Sequence, residues 1–196
     1  MYQKLTAEAL GTFTLAFAVL ASLQVETMLP TPVIAGLVLG LFVYTIGSIS
    51  GSHINPAVTL GLWAIKQINL NEALQYIVAQ LIGALLAFGI ATFFFAELSL
   101  GLVTESGSVF WAELIGAAIF TFGIAGVVYG KVSDVASGLV IGGSLLLGIV
   151  IAAHLGSAGI LNPAVALALD SISASYVLGS ILGGIAGMML YRAIKS

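Results

Sequence analysis

Long apolar stretches, separated by isolated charged residues, run along the whole chain. Four of them have the length of a single spanning helix, since about 20 apolar residues cross the hydrocarbon core of a bilayer. These stretches are Leu5–Leu23, Ala73–Ala96, Val109–Tyr129 and Ser171–Tyr191. The pattern predicts one membrane-spanning helix in each of them.

Two further stretches are longer, and a Gly- and Ser-rich segment interrupts each. Residues 27–65 and 135–169 contain no Asp, Glu, Lys or Arg. Each stretch is too long for one crossing and too short for two crossings with a connection. After the interruptions only Ala57–Ile65 and Ala164–Leu169 remain. At about 1.5 Å per residue these pieces reach halfway across a bilayer. Each stretch is therefore predicted to hold one full span and one re-entrant half-helix.

The basic residues support this count of six crossings. With two re-entrant half-helices, all of them lie on one face of the membrane: Lys4, Lys66, Lys131, Arg192 and Lys195. The opposite loops hold no Lys or Arg, and their acidic residues are Glu26, Glu97, Glu105 and Asp170. Because Lys and Arg are enriched in cytoplasmic loops, we expect both termini in the cytoplasm and residues 98–108 outside.

Composition excludes several classes of protein. The chain is 60% hydrophobic and 7% charged, against about 25% charged in an ordinary soluble domain, so lipid must cover most of its surface. It has no cysteine and no basic stripe for nucleic acid. Its two histidines lack carboxylates at ligand spacing, so we expect neither a metal nor a cofactor. Ser52 and His53 have no third partner for hydrolysis, and an enzyme is not expected. Residues 1–20 include Glu8 and lack a clear cleavage site, which favours a first span over a signal peptide.

The two halves of the chain repeat one another. Four pairs of matching segments occur in the same order: Asn55-Pro56-Ala57-Val58 with Asn162-Pro163-Ala164-Val165, Gly36–Gly40 with Gly138–Gly142, Ala7-Glu8 with Ala112-Glu113, and Tyr76 and Gly83 with Tyr176 and Gly183. Each half, about 1–98 and 107–196, has three predicted spans. An odd number of spans inverts the second copy in the membrane, so the two re-entrant loops are predicted to meet near the midplane.

Non-helical backbone inside a bilayer is tolerated only where protein or water satisfies its polar groups. The two loops before the half-helices supply such backbone, and their carbonyl groups are predicted to line a water-filled path: Gly51, Ser52, His53, Ile54, Gly159, Ile160 and Leu161. At the end of each loop, Asn55 or Asn162 offers N–H donors at the positive end of a half-helix. The arrangement favours neutral molecules that accept hydrogen bonds and disfavours cations.

These segments resemble the aquaporin and glycerol-facilitator family. The resemblance is carried by residues 50–61, with the sequence SGSHINPAVTLG, by residues 76–84, with the sequence YIVAQLIGA, and by Tyr176, Gly179 and Gly183 in the last span. It implies an all-α membrane protein in one channel domain over 1–196, with six spanning helices and two half-helices. It also implies a homotetramer in which each subunit passively conducts water or small uncharged solutes in single file past the two Asn-Pro-Ala motifs.

The second half departs from the family at the outer filter. Where the family usually has Arg after the second Asn-Pro-Ala motif, this chain has Val165. The filter residue from the second span, usually aromatic in the family, aligns with Ala35. The filter residue from the fifth span aligns near Val150. We therefore expect a wider and more apolar filter, which admits glycerol-like solutes.

Glu8, Glu113 and His53 are polar groups inside predicted membrane segments, where such groups often have a function. A proton relay is one interpretation. The interpretation favoured by their matched positions is that the two carboxylates accept bonds from loop N–H groups, while His53 braces the first loop. Two other functions remain open: a secondary transporter, which needs a charged midplane site, and a structural membrane protein of the same fold with little conductance.

Overall fold

The structure is a computed structural model that describes residues 1–25, 28–95, 98 and 105–195. Within these residues the chain forms eight α-helices and no strand: α1 (Tyr2–Gln24), α2 (Thr31–Ser50), α3 (Pro56–Ala64), α4 (Leu70–Phe94), α5 (Gly107–Val128), α6 (Asp134–His154), α7 (Pro163–Ala168) and α8 (Ala174–Ile194). Six of them are long and apolar enough to span a membrane, and α3 and α7 are short. The predicted all-α fold with six spans and two half-helices is confirmed.

Capping side chains mark where three of the spanning helices, α4, α5 and α8, begin. The Asn69 side chain accepts a hydrogen bond of 2.9 Å from the N–H of Glu72, so α4 starts at Leu70, before the predicted Ala73. The Ser173 hydroxyl accepts from the N–H of Tyr176 at 3.3 Å, and α8 starts at Ala174, after the predicted Ser171. Such caps satisfy N–H groups that the first helical turn leaves unpaired. Ala96, the predicted end of the third span, lies outside the described residues.

The half-helices begin at the two Asn-Pro pairs for local reasons. Asn55 accepts a hydrogen bond of 2.8 Å from the N–H of Ala57, and Asn162 accepts one of 3.0 Å from the N–H of Ala164. Proline follows each asparagine as the first helical residue, where its missing N–H has no cost. Each short helix packs against the opposite half of the chain: α3 lies mainly on α8, and α7 lies on α4 and α1.

Small residues bring α2 and α6 into backbone contact. A methyl group built on Gly36 would lie 2.8 Å from the carbonyl oxygen of Gly142, and one built on Gly40 would lie 2.8 Å from that of Gly138. No carbon atom fits at that distance, so only glycine permits this approach. Close packing of this kind replaces the hydrophobic effect as the force that joins helices in lipid. It also sets which side of α6 faces the interior.

Helix directions place the beginning of α1 and the end of α8 on the same face of the bundle, called here the termini face. The basic residues at the ends of the helices lie on this face, and Lys4 forms an ion pair of 2.8 Å with Glu72 there. Asp170, which follows α7, lies on the opposite face. Glu26 and Glu97, assigned from the sequence to the opposite loops, lie outside the described residues.

Candidate functional site

The two loops that precede the half-helices have an unusual backbone. Ser52, Ile54 and Leu161 have φ angles of 51°, 40° and 52°. These left-handed values are rare for residues other than glycine, and especially for a β-branched residue such as Ile54. Each costs about 1–3 kcal/mol and persists only where surrounding contacts hold it. The loops therefore depend on groups that hold their N–H and carbonyl positions.

The Glu8 carboxylate holds the first loop. Its Oε1 accepts hydrogen bonds from the Ser50 hydroxyl at 2.7 Å and from the N–H of His53 at 2.9 Å. Its Oε2 accepts from the N–H of Ile54 at 2.7 Å and from Nε2 of Gln80 at 2.8 Å. Glu8 is fully buried, so all four donors compensate for the water that the carboxylate has lost.

Glu113 occupies the matching place beside the second loop. Its Oε1 accepts from the N–H of Ile160 at 2.9 Å and from the Ser157 hydroxyl, and its Oε2 accepts from the N–H of Leu161 at 2.7 Å. The Ser157 hydroxyl also accepts from the N–H of Gly159 at 3.1 Å. The two halves thus use one carboxylate, one serine and two backbone N–H groups in the same way.

Asn55 and Asn162 tie the two loops to each other. Nδ2 of Asn55 donates to the carbonyl of Leu161 at 2.9 Å, and Nδ2 of Asn162 donates to the carbonyl of Ile54 at 3.1 Å. An amide nitrogen carries two hydrogens, so each asparagine keeps one N–H for the cavity that both line. The strained Ile54 and Leu161 are therefore held at both N–H and carbonyl.

These cross-bonds change the predicted ladder of carbonyl acceptors. The carbonyl groups of Ile54 and Leu161 each accept an asparagine N–H, and so they are not the free acceptors that the sequence suggested. Within the described residues no hydrogen bond uses the other carbonyl groups of the predicted ladder, those of Gly51, Ser52, His53, Gly159 and Ile160. These five carbonyl groups are still able to accept a hydrogen bond.

Two cavities approach the loops from the two faces. A cavity of about 180 Å³ on the opposite face is lined by Asn55, Asn162 and a majority of apolar side chains that include Phe120. A larger vestibule of about 830 Å³ opens on the termini face. Leu39 and His53 line both of them. These two residues lie at the junction between the two cavities, which follow one another along a path from one face of the bundle to the other.

The composition of the cavity wall decides what the path can do. No charged side chain of a described residue lines the opposite-face cavity, and the described residues contain no group of three His, Asp or Glu side chains that could hold a metal ion. The wall offers N–H donors from two asparagines, the polar side chains of Thr31 and His53 and free loop carbonyl groups, and the rest of it is apolar. Such a wall suits the passage of small uncharged molecules.

Comparison with known proteins identifies the family. A family model described as major intrinsic protein matches residues 1–191. The chain belongs to the major intrinsic protein family. It is similar to Nodulin-26 from Glycine max, with 35% identity over 98% of this chain and 78% of that protein. It is also similar to Aquaporin Z from Photorhabdus laumondii, with 31% identity over 99% and 98% of the two chains.

A solved structure supports the fold independently. The aquaglyceroporin from Plasmodium falciparum superposes with a TM-score of 0.73 at 22% identity, covering 98% of this chain and 94% of that one. Members of the family are channels. The predicted passive membrane channel for water and small solutes, without enzymatic activity, is therefore confirmed by family membership.

Two of the three residues expected at the outer filter line the opposite-face cavity. Ala35 and Val165 line the opposite-face cavity, whereas Val150 is not among its lining residues. Ile149, one position earlier on α6, takes its place. The carbonyl of Val150 instead accepts a bond of 2.7 Å from the exposed His154 ring. The rotation of α6, set by its glycine contacts with α2, is the physical reason.

Several polar residues at the loops escaped the sequence analysis. Gln80 and Thr59 are fully buried and join the network around Glu8 and His53. Ser50 and Ser157 bond the two carboxylates. A lone amide in an apolar span was the available signal for Gln80. Nothing in the sequence indicated that the two serines would contact glutamates far away in the chain.

Proposed function

We propose that this channel conducts water and small uncharged solutes, including three-carbon polyols, in single file past Asn55 and Asn162. The single observation that carries the proposal is the uncharged opposite-face cavity that ends at the two asparagine amides. Each hydroxyl group of the solute accepts through its oxygen from a remaining amide N–H and donates its O–H to a free loop carbonyl. Carbon atoms of the solute meet the apolar wall.

The filter proposed here consists of Ala35, Ile149 and Val165, with Ile149 in place of Val150. All three are small or medium-sized apolar residues that line the cavity. Without a bulky aromatic or arginine side chain the filter is wider than one built from the family's usual residues, so a polyol fits. An apolar filter also offers water fewer hydrogen-bond partners, which lowers the flux of water relative to the flux of a polyol.

Cation exclusion in this proposal rests on the two half-helices. The N-termini of α3 and α7 are at the asparagines, and a helix N-terminus carries a partial positive charge of about half an elementary charge. The positive ends of half-helices, or an arginine, exclude protons and cations in channels of this kind. Since Val165 provides no charge, the half-helices alone supply this barrier.

The orientation and assembly of the channel belong to the same proposal. The basic residues at helix ends on the termini face support cytoplasmic termini and a location in the cell membrane by the positive-inside rule. The matched contacts of Glu8 and Glu113 support an inverted repeat over 1–98 and 107–196 within one channel domain. The family resemblance supports a homotetramer with one pore in each subunit.

Swelling of proteoliposomes measured by light scattering tests the proposed function. We expect the wild type to pass water and glycerol, and Val165→Arg to reduce glycerol flux more than water flux because the long side chain narrows the cavity. Val165→Leu is the matched control, since it adds bulk without charge. A wild type that passes water but no three-carbon polyol would contradict this filter.

A further inference from the structure

A chain of buried polar groups connects Glu8 with the ring of His53. It begins at Oε2 of Glu8, which lies 2.8 Å from Nε2 of Gln80. The other partners of Glu8 are all donors, as expected for an ionised carboxylate, which only accepts hydrogen bonds. The amide nitrogen of Gln80 must therefore face Glu8. Its Oε1 points away and has no partner among the described residues.

The same amide nitrogen determines the bonding of Thr59. Nε2 of Gln80 donates its second hydrogen to the Thr59 hydroxyl oxygen at 2.9 Å. The single hydroxyl hydrogen of Thr59 is directed to the carbonyl of Asn55 at 3.0 Å. A hydroxyl group has one donor and two acceptor positions. One acceptor position of Thr59 thus remains, and the only hydrogen it has is already used.

His53 occupies that remaining position. Its Nδ1 lies 3.2 Å from the Thr59 hydroxyl oxygen, farther than the carbonyl that receives the hydroxyl hydrogen. With the hydroxyl hydrogen on that carbonyl, Nδ1 is the donor and carries the imidazole proton. In a neutral ring the other nitrogen, Nε2, is consequently an acceptor. Tyr76, whose ring centroid lies 4.9 Å from that of His53, packs against the ring and limits its rotation.

The acceptor nitrogen faces the path. Nε2 of His53 lies beside Gly51, where a methyl group would come within 3.0 Å of it, and both residues line the vestibule. No hydrogen bond among the described residues uses Nε2. The atom is not among the buried polar atoms that lack a partner, so it is accessible from the vestibule. The free carbonyl groups of Ser52 and His53 belong to the same loop. This side of the junction therefore presents several acceptors.

The second half of the chain has no such arrangement. The positions that match His53, Thr59 and Gln80 are Ile160, Ala166 and Ser180. The Ser180 hydroxyl bonds the carbonyl of Tyr176 in its own helix at 2.6 Å. Among the described residues that line the two cavities, a ring nitrogen therefore occurs in the first half, at His53, and not at its counterpart in the second half.

We propose that Gln80 and Thr59 are positioning residues that hold the His53 proton on Nδ1, and that Nε2 forms a solute-binding site at the junction of the two cavities. The site takes neutral solutes with O–H or N–H donors, which pass from asparagine donors to the His53 acceptor. The proposal rests on the function proposed above and specifies how the same path recognises a polyol.

Nitrogen-15 spectra of histidine-labelled protein in lipid nanodiscs test the proton position directly. The chain has two histidines, and His154→Gln removes the exposed one, so the remaining signals belong to His53. We expect the wild type to show a protonated Nδ1 and an unprotonated Nε2. Thr59→Val should produce the other tautomer or a mixture, and Thr59→Ser should restore the wild-type spectrum. A wild type protonated on Nε2, or an unchanged spectrum in Thr59→Val, would overturn the proposal.

Glycerol flux tests whether the ring contacts the solute. We expect Thr59→Val to lower glycerol flux about threefold to tenfold relative to Thr59→Ser, the loss of one net hydrogen bond. Gln80→Leu provides a second route to the same change if Thr59→Val does not fold. Ser180→Ala, at the matching position of the other half, should alter neither spectrum nor flux. A changed tautomer with unchanged glycerol flux would refute the site. A wild type without any glycerol flux refutes the proposed function instead, and the spectrum still decides the tautomer.

Discussion

Replacing Glu113 with glutamine removes the charge beneath the second loop while keeping the shape of the side chain. The carboxylate is fully buried and accepts hydrogen bonds from the N–H groups of Ile160 and Leu161 on different oxygens. An amide has one acceptor oxygen and one donor nitrogen. Whichever way it turns, one of the two N–H groups faces a donor and loses its partner.

The magnitude follows from these contacts. A buried N–H without a partner costs about 1–3 kcal/mol. The remaining bonds to Glu113 lose their charge assistance, which adds about 1 kcal/mol. Burying a neutral amide instead of a carboxylate offsets part of this, so we expect a net loss of about 2 kcal/mol in the free energy of unfolding. Leu161, with its φ of 52°, is then free to relax, and the Asn162 donor moves with it.

Unfolding of the purified protein in mixed detergent micelles measures the change in free energy, and proteoliposome swelling measures flux. Glu113→Gln should be less stable and pass less water and glycerol. Ser157→Ala is the comparison variant, because it leaves the bonds from the N–H groups of Ile160 and Leu161 to the carboxylate in place. It should cost about 1–3 kcal/mol, since it removes the hydroxyl bond to the carboxylate and the acceptor of the Gly159 N–H, and it should change flux less than Glu113→Gln because Leu161 stays held. Equal stability of Glu113→Gln and the wild type would show that the carboxyl group does not hold the loop as an anion.

Three further predictions concern packing, the midplane and orientation. Gly142→Ala should destabilise the channel by more than 1 kcal/mol in the same unfolding assay, because a methyl group there meets the backbone of α2. Gly143→Ala, with open space around it, should be neutral. Equal effects of the two substitutions would contradict the close approach of α2 and α6. Asn55→Asp places a carboxylate against the carbonyl oxygen of Leu161. We expect a cation current in planar bilayers or loss of folded protein. A folded variant with wild-type solute flux and no cation current would count against the midplane site. With cytoplasmic termini, Asp170→Cys should react with an impermeant thiol reagent outside cells and Tyr2→Cys should not; the reverse labelling would rule out this orientation.

The order of helices could be read from the sequence because the bilayer imposes local rules. A span needs about 20 apolar residues, and the stretch 27–65 fits only a span with a half-helix. Asn55 and Asn162, each followed by proline, end the non-helical loops for reasons found within a few residues of each asparagine. The matched positions of Glu8 and Glu113 likewise required only a comparison of the two halves.

Tertiary structure alone decided which distant groups meet. Successive residues on a helix point about 100° apart, so assigning Ile149 rather than Val150 to the cavity needs the rotation of α6. That rotation depends on the contact between Gly142 and Gly36, which are far apart in the chain. The bond from Asn55 to the carbonyl of Leu161 likewise joins residues from opposite halves. Local patterns determine where helices and loops occur, whereas hydrogen bonds between them depend on packing distances that no local pattern records.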